Sequence, residues 1–385
     1  MAQNFPNRDE LVALACEQTG LSDFGDTWFM PYLDKYMECL ETEARLNPAG
    51  HAGTQGSIVS ALSNRLRHVE LVKTNPEIKD EEVNVSAIVV GLPRTGSTMI
   101  HRMLSSAKGM TAVKWFEAQN YTLLPGEKRG DPKPRLEAGQ MILDYMLQAI
   151  PEIMSIHPMS LTQADEEVII LGQLFSSTML ESSQFIPSYA KWLMQQDRKQ
   201  PYLDLHEILQ SFQWQDPTRR GAGWVLKTPG HLMALDAVME VYPDAKVVMT
   251  HRDPVDTVPS YCSMMDTLYR MGSDDITKPM IGAFWLERLH EWTEVFMRAR
   301  ANADPSRFID VDYRDLLANP VQVGERVLSL AGFDITDEIT SGMADWIEGN
   351  KREDRASHKY DIADFDLTND IVMDKFSAYR KAYIA

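Results

Sequence analysis

Short apolar runs recur along the chain, and each is followed by a stretch of helical periodicity. The runs are rich in β-branched and aromatic residues and cover 85–90, 224–226, 246–250 and 308–311. Strands that alternate with helices indicate a mostly parallel sheet with right-handed crossovers. The pattern therefore predicts an α/β fold with a central, mostly parallel sheet and helices on both faces.

The other segments have helical spacing without strand-like runs. Residues 9–47 predict two helices, and 57–73 predict a third. Further along, the spacing predicts a large helical insertion, with helices over 141–150, 164–180, 188–196 and 202–214.

No linker, repeat or low-complexity run divides the chain, which we therefore interpret as one elaborated domain. Its predicted parts are a helical lead-in (1–80), a first strand–loop–helix unit (85–135), the helical insertion (136–215), a second α/β unit (222–335) and a basic tail (342–385).

Composition narrows the functional classes. A net charge of −18 over 385 residues argues against a nucleic-acid partner, because such binding relies on a basic surface. Three widely spaced cysteines and an N-terminus without a signal-peptide pattern favour a reduced, cytoplasmic setting. No apolar run is long enough for membrane insertion, and no carboxylate or histidine cluster has metal-ligand spacing.

The first strand runs into a glycine-bearing turn, GLPRTGST, over residues 91–98, and a helix follows. The free N–H groups and the dipole of a helix N-terminus favour an anion at this position. Gly91 and Gly96 have the glycine spacing of a nucleotide-binding P-loop, but Ser97 stands where that motif has lysine. The loop instead carries a cation at Arg94, so we expect a P-loop-like, three-layer fold that binds a phosphate-like anion.

Two other cations follow predicted strands. Lys227 ends the strand at 224–226, and Arg252 follows the strand at 246–250. Ser260 lies eight residues after Arg252, two turns into the next helix. Because ligands bind beyond the carboxyl ends of parallel strands, we expect Arg94, Lys227 and Arg252 on one rim of the sheet.

Three motifs in this order, GLPRTGST, LKTPGH and HRDPVDTVPS, resemble the sulfotransferases that use 3′-phosphoadenosine 5′-phosphosulfate (PAPS). The resemblance is strongest to a bacterial branch similar to the tyrosylprotein sulfotransferases. It implies PAPS as cosubstrate, no metal, and in-line transfer of a sulfuryl group to a hydroxyl or amine. The implied ligands of the 5′-phosphosulfate are Arg94, Thr95, Gly96, Ser97 and Thr98.

The resemblance also implies that Arg252 and Ser260 bind the 3′-phosphate. Lys227 and Arg94 would stabilise charge on the sulfuryl group and the departing oxygen. Glu117 matches a catalytic glutamate of the tyrosylprotein branch, although two extra residues separate it from the loop. The general base stays open, with these alternatives to Glu117: His231, His157 and the Asp165–Glu167 cluster.

The tail carries the densest basic cluster of the chain, including Arg355 and His358. The resemblance suggests a lid over the 3′-phosphate; a solvated charged loop is the simpler interpretation. Methionines and aromatic residues in 136–215 indicate an apolar pocket for a small-molecule acceptor. A homodimer, a P-loop kinase or NTPase, and a non-catalytic nucleotide-binding protein remain alternatives.

Overall fold

The computed structural model describes residues 5–151, 153–156, 158–350 and 360–384. The described residues form a five-stranded sheet in the order β2-β3-β1-β4-β5, and all of its strand pairs are parallel. The strands are β1 (Asn84–Gly91), β2 (Met110–Thr111), β3 (Gly223–Lys227), β4 (Lys246–His251) and β5 (Phe308–Asp312). The prediction of an α/β fold around a parallel sheet is therefore confirmed.

Helices surround this sheet. In the first half of the chain they are α1 (Arg8–Thr19), α2 (Met30–Thr42), α3 (Pro48–Thr74), α4 (Ser97–Ser106), α5 (Trp115–Gln119), α6 (Lys133–Ala149), α7 (Ile153–Ile156), α8 (Val168–Gln173), α9 (Thr178–Ser183) and α10 (Pro187–Leu193). The rest are α11 (Lys199–Gln215), α12 (Leu235–Val241), α13 (Pro254–Tyr269), α14 (Lys278–Asn302), α15 (Tyr313–Ala318), α16 (Pro320–Leu330), α17 (Asp337–Gly349), α18 (Asn369–Lys375) and α19 (Ser377–Tyr383).

Alternate residues of β1 point to opposite faces of the sheet, as the period of two requires. Ala87 and Val89 belong to a core cluster that includes α4, α16 and α17. Ile88 and Val90 belong to the cluster that α11, α13 and α14 complete on the other face. Both faces of β1 are buried, which explains why its residues 87–90 are apolar at consecutive positions rather than alternating.

The lead-in helices share a core with part of the insertion. Phe175 and Tyr189 pack with residues of α2 and α3, and both side chains are buried. These two aromatic residues, which the sequence placed among candidates for an acceptor pocket, are thus part of a packed core. The helix predicted at 57–73 begins earlier, at Pro48, because Asn47 caps it and proline suits its first position.

The single helix predicted over 164–180 is wrong in its boundaries. Glu167 is the N-cap of α8, and α8 ends before Phe175, whose φ of 54° is incompatible with a continuing helix. Ser177 then caps α9 by accepting a hydrogen bond from the Met179 N–H at 3.1 Å. Asp165 and Glu166 therefore lie in an extended approach to the helix, not in its first turn.

His101, on the α4 face that packs against β3, predicts an acid-sensitive stability. Its Nε2 lies 3.2 Å from the Val225 carbonyl oxygen, while its Nδ1 is buried with no hydrogen-bond partner in the described structure. Burial lowers the pKa of this imidazole to about 4. Because the unfolded chain binds the proton more tightly, His101 costs stability as the pH falls from about 6.5 towards 4.

We expect the free energy of unfolding to drop by about 2 kcal/mol between pH 7 and pH 5 from this group alone. Urea unfolding of the parent and of His101→Gln at both pH values measures this contribution of His101 to the free energy of unfolding. A glutamine can still donate to the Val225 carbonyl but does not titrate, so the variant should lose correspondingly less stability on acidification. Equal losses in the two proteins would contradict this account.

Candidate active site

The turn after β1 bends tightly against the neighbouring strand. A Cβ added to Gly91 would lie 2.3 Å from the Thr250 Oγ1, so a side chain has no room there. Arg94 and Gly96 both have left-handed φ values, 70° and 85°. Left-handed residues in a turn direct successive backbone N–H groups towards one side and so form an anion-binding concavity.

Buried hydroxyls fix this turn to β4. The Thr95 Oγ1 donates to the Leu92 carbonyl at 2.7 Å and lies 2.6 Å from the Thr250 Oγ1. The Thr250 hydroxyl in turn bonds the Val90 carbonyl at 3.1 Å. The hydroxyl of Thr95 therefore bonds within the loop and to β4, and so it fixes the shape of the loop.

Lys227 ends β3 beside the N-terminus of α4. Its Nζ donates to the Thr98 Oγ1 at 3.0 Å and forms an ion pair with Glu166. The lysine side chain is 3% exposed and that of Glu166 is 15% exposed. An acid and a cation therefore meet beside the 91–98 loop, where solvent reaches the acid.

A buried network lies behind Lys227. The backbone N–H of Lys227 donates to the Glu167 Oε2 at 3.1 Å, and Glu167 Oε1 bonds the His231 Nε2. The other nitrogen of His231 lies 2.7 Å from the Tyr202 hydroxyl. Burial alone would raise the pKa of Glu167, but the charge and hydrogen bond of His231 outweigh it and hold that pKa below its usual value.

A second group of polar residues lies at the ends of β4 and β5. The Arg94 Nε donates to the Ser260 Oγ at 3.2 Å, and the Arg252 Nη1 donates to the Arg94 carbonyl at 3.1 Å. The Arg252 guanidinium lies 4.5 Å from the centre of the Tyr313 ring. Arg94, Arg252 and Ser260 are therefore brought together on one rim with the loop, as expected from the strand ends.

Tyr313 is a residue that the sequence reasoning missed. Its ring packs under Arg252 and also approaches Gly96, where an added Cβ would lie 3.1 Å from its Cδ2. The signal that could have found it is its position directly after the β5 run, at the same rim as Arg252.

The sequence of this rim also matches a known family. A family model described as "Sulfotransferase family" matches residues 87–337, about two thirds of the chain. The chain belongs to the sulfotransferase family. The predicted family is therefore confirmed, and the match spans the 91–98 loop, Lys227 and Arg252.

Solved sulfotransferases share the fold of this one. STF1 from Mycobacterium tuberculosis H37Rv is 29% identical, with a TM-score of 0.83 over 97% of this chain and 99% of that one. STF9 from Mycobacterium avium is 22% identical, with a TM-score of 0.87 over 100% of this chain and 98% of its own. The P-loop-like sulfotransferase architecture thus extends over nearly the whole of this sulfotransferase.

A curated relative is similar over a shorter stretch. Over 133 residues the chain is 27% identical to the omega-hydroxy-beta-dihydromenaquinone-9 sulfotransferase Stf3 of Mycobacterium tuberculosis, and to that of Mycobacterium bovis. The stretch covers 31% of this chain and 34% of the relative. This sulfotransferase thus matches about a third of the length of those curated relatives.

Glu117 is not brought into this group of residues. Both of its carboxylate oxygens accept hydrogen bonds from Arg219, at 3.2 and 2.5 Å, and one also accepts the Lys114 N–H at 2.8 Å. Arg219 packs over Trp224, three residues before Lys227 in β3, which corresponds to roughly 10 Å of strand. The bonds of the Glu117 side chain are therefore those of a buried structural ion pair.

Other candidates take different positions. Asp165 accepts a hydrogen bond from the Arg102 Nη2 at 3.0 Å, in a pair that is buried on both sides. Of the alternatives for the base, Glu166 alone among the described ones has its carboxylate on Lys227 Nζ. His157, Arg355 and His358 lie outside the described residues.

The C-terminal helices pack against the β4 end, a contact that the sequence did not predict. Asp253 caps α13 by accepting the Val255 N–H at 3.1 Å, and it also pairs with Arg380 of α19 at 2.9 Å. The Nδ1 of His251, the last residue of β4, lies 2.8 Å from the hydroxyl of Tyr379, which is also in α19. The tail thereby supports the turn that carries Arg252.

No described helix is both long and apolar enough to cross a bilayer. No group of three or more histidine, cysteine or acidic side chains in the described ranges could hold a metal ion.

Proposed function

We propose that this chain transfers the sulfuryl group of PAPS to a hydroxyl of a small apolar acceptor. One observation carries the proposal: Arg94, Lys227 and Arg252 converge on one sheet rim around a helix N-terminus, although the chain as a whole has a net charge of −18. A carboxylate, Glu166, lies within the same group. Anion-binding groups beside a candidate base suit transfer of an anionic group to a protic acceptor.

The donor set fits a nucleotide with an anion at each end. The loop and the α4 N-terminus offer backbone N–H groups to a 5′-phosphosulfate. Arg252 and Ser260 offer a guanidinium and a hydroxyl to a 3′-phosphate, and both contact Arg94 between the two ends. When bound, PAPS supplies the activated sulfuryl group and a phosphate leaving group.

Lys227 is the residue that we assign to stabilising charge at the reacting group. Its Nζ is held by Thr98 of α4, so the ammonium lies where the 5′ end of the nucleotide would meet the helix N-terminus. A fixed cation in a site that excludes water stabilises developing negative charge without reorganising during the reaction. Arg94 contributes a second cation from within the loop, where its Nε donates to Ser260.

Glu166 is the residue that we assign as general base. It is a partly exposed carboxylate whose partner is Lys227, whereas the exposed Asp256 pairs with Arg252. When Lys227 turns to a sulfuryl oxygen, the Glu166 carboxylate becomes free to accept the proton of the acceptor hydroxyl. Glu117, the base suggested by resemblance, is held by Arg219 instead.

The acceptor assignment rests on the curated relative and on the insertion. Stf3 is described as acting on an omega-hydroxylated menaquinone, which is an apolar alcohol. In this chain Leu143, Ile150 and Met159 form an apolar cluster with Trp115, with Met146 and Met154 packed against it. Trp115 follows directly after Lys114, which pairs with Ala164 in the approach to Glu166. The partly buried Met146 and Met154 have flexible side chains, which suit contact with a long hydrocarbon.

The kinase or NTPase alternative finds less support. A magnesium-binding acid is expected at the end of the strand next to a P-loop strand. Here β4 ends in Thr250 and His251, and the nearest acid, Asp253, is used in capping α13 and pairing with Arg380. Ser97 also replaces the P-loop lysine.

Binding of the product nucleotide, 3′-phosphoadenosine 5′-phosphate (PAP), tests the nucleotide assignment. We expect Arg252→Ala to weaken PAP binding roughly thirtyfold, because a charge-assisted contact with a phosphate contributes about 2 kcal/mol. Isothermal titration calorimetry measures the dissociation constant. Arg270→Ala is the matched control. Arg252 lies just before α13 and Arg270 just after it, and Arg270 pairs only with Asp266 among the ion pairs described. Unchanged PAP affinity in Arg252→Ala would overturn the assignment.

A further inference from the structure

Two consecutive carboxylates bind the same lysine in different ways. Glu166 pairs with the Lys227 ammonium, whereas Glu167 accepts the Lys227 backbone N–H at 3.1 Å. Lys227 is the last residue of β3, so this N–H lies at the point where the strand leaves the sheet. Glu167 therefore ties the strand end to the segment that carries Glu166.

The second oxygen of Glu167 is held from behind. It bonds the His231 Nε2, and the His231 Nδ1 lies 2.7 Å from the Tyr202 hydroxyl. All three side chains are buried: Glu167 is 1% exposed, and His231 and Tyr202 are fully buried. An ionised carboxylate can only accept, so His231 Nε2 must carry a hydrogen, and in the neutral imidazole Nδ1 then accepts from the Tyr202 hydroxyl.

This arrangement argues against His231 as the base that takes a proton from the acceptor. Both of its ring nitrogens are engaged within the protein, and the imidazole has no exposed surface. Its contacts instead lead to two residues at the reacting group, Lys227 through the backbone and Glu166 through the neighbouring peptide unit.

We propose that His231 and Tyr202 are positioning residues that, through Glu167, hold Lys227 and Glu166 in register at the sulfuryl group. The proposal rests on the proposed function for the roles of Lys227 and Glu166. His231 comes from the segment after β3, Tyr202 from α11 and Glu167 from the approach to α8, so three separate elements set the placement of the two reacting groups. Displacements of about 1 Å in such groups can lower a rate by roughly a hundredfold.

Four variants separate positioning from general stability. His231→Leu removes the donor to Glu167, and His231→Gln restores a donor that can reach it. Tyr202→Phe removes only the hydroxyl that bonds His231. Tyr242→Phe is the matched control, because the Tyr242 hydroxyl is buried and has no hydrogen-bond partner among the described residues. PAP titration counts the folded sites, and kcat is expressed per PAP-binding site.

We expect kcat per site to fall roughly a hundredfold in His231→Leu and roughly tenfold in Tyr202→Phe, with the KM for PAPS little changed. His231→Gln should recover most of the loss, and Tyr242→Phe should stay within about twofold of the parent. If His231→Leu does not fold, the test is the kcat per PAP-binding site of Tyr202→Phe compared with that of Tyr242→Phe. Equal kcat in those two phenylalanine variants would overturn the proposal.

Hydrogen exchange at the Lys227 amide provides a readout that needs no turnover. This N–H should exchange faster in Tyr202→Phe and His231→Leu than in the parent and in Tyr242→Phe, because the Glu167 acceptor is no longer held. Unchanged exchange would contradict the positioning role even if the protein transferred no sulfuryl group. Absence of transfer by the parent, with the exchange pattern as expected, would overturn only the proposed function.

Discussion

Replacing Lys227 with methionine will lower kcat for sulfuryl transfer by about a hundredfold and leave PAP binding nearly unchanged. Loss of one preorganised charge at the reacting oxygen costs about 3 kcal/mol in the transition state. PAP lacks the sulfuryl group, so its affinity depends mainly on the loop, Arg252 and Ser260. Methionine keeps the length and the apolar stem of lysine within a position that is 2% exposed. Steady-state kinetics and PAP calorimetry on the same preparation measure both effects.

Lys199→Met is the control for this variant. Lys199 also forms an ion pair, with Glu240, but on the surface, where its side chain is 45% exposed. We expect its kcat to match the parent, because an exposed ion pair contributes little to stability and this one lies away from the rim. A parental kcat in Lys227→Met would remove Lys227 from the mechanism.

The two candidate glutamates should separate sharply. We expect Glu166→Gln to lower kcat about a thousandfold, within the range that general base catalysis supplies. A glutamine can still accept a hydrogen bond from Lys227, so the lysine keeps a partner while the base is lost. Glu117→Gln should keep the parental kcat but lower the free energy of unfolding by about 3 kcal/mol, because it removes the buried carboxylate that pairs with Arg219 and leaves the partly exposed Asp216 as the remaining described partner of that cation.

Steady-state kinetics should show the loss of kcat in Glu166→Gln, and urea unfolding should show the loss of stability in Glu117→Gln. Each variant serves as the control for the other, since both change one carboxylate to an amide. The assignment would be reversed if Glu117→Gln were inactive per PAP-binding site while Glu166→Gln kept the parental rate.

The sheet and its rim follow directly from the sequence. The run 87–90 is apolar at consecutive positions because β1 is buried on both faces, and such runs are among the most readable signals in a chain. Because parallel strands end at one edge, Arg94, Lys227 and Arg252 could be placed together from local information alone.

The partners of the acids could not be found in this way. Arg219 follows Glu117 by 102 residues, and His231 follows Glu167 by 64 residues, so neither pair leaves a local pattern. The apolar spacing of α8 and α9 merges into one helical signal, which hides the cap at Glu167 and the break at Phe175. The acidic cluster consequently falls at the start of the helix predicted over 164–180, whereas in the structure its three carboxylates bind Arg102, Lys227 and His231.

The tail presents a similar limit. The Arg380 bond to Asp253 and the Tyr379 bond to His251 join residues more than a hundred positions apart. The sequence predicts this region only as a basic tail, and nothing local says which strand end it contacts. Tyr313, one residue after β5, was within reach of the strand-end rule because it lies at the same edge as Arg252.

Incubation with radiolabelled PAPS tests the proposed sulfuryl transfer most directly. The acceptor panel should contain a terminally hydroxylated isoprenoid quinone, simple apolar alcohols, a sugar and an acidic peptide, with products identified by mass spectrometry. We predict label on an apolar alcohol, released PAP in equal amount, and loss of both in Lys227→Met. A protein that binds PAP at one site per chain but moves no label to any hydroxyl in the panel would contradict the account.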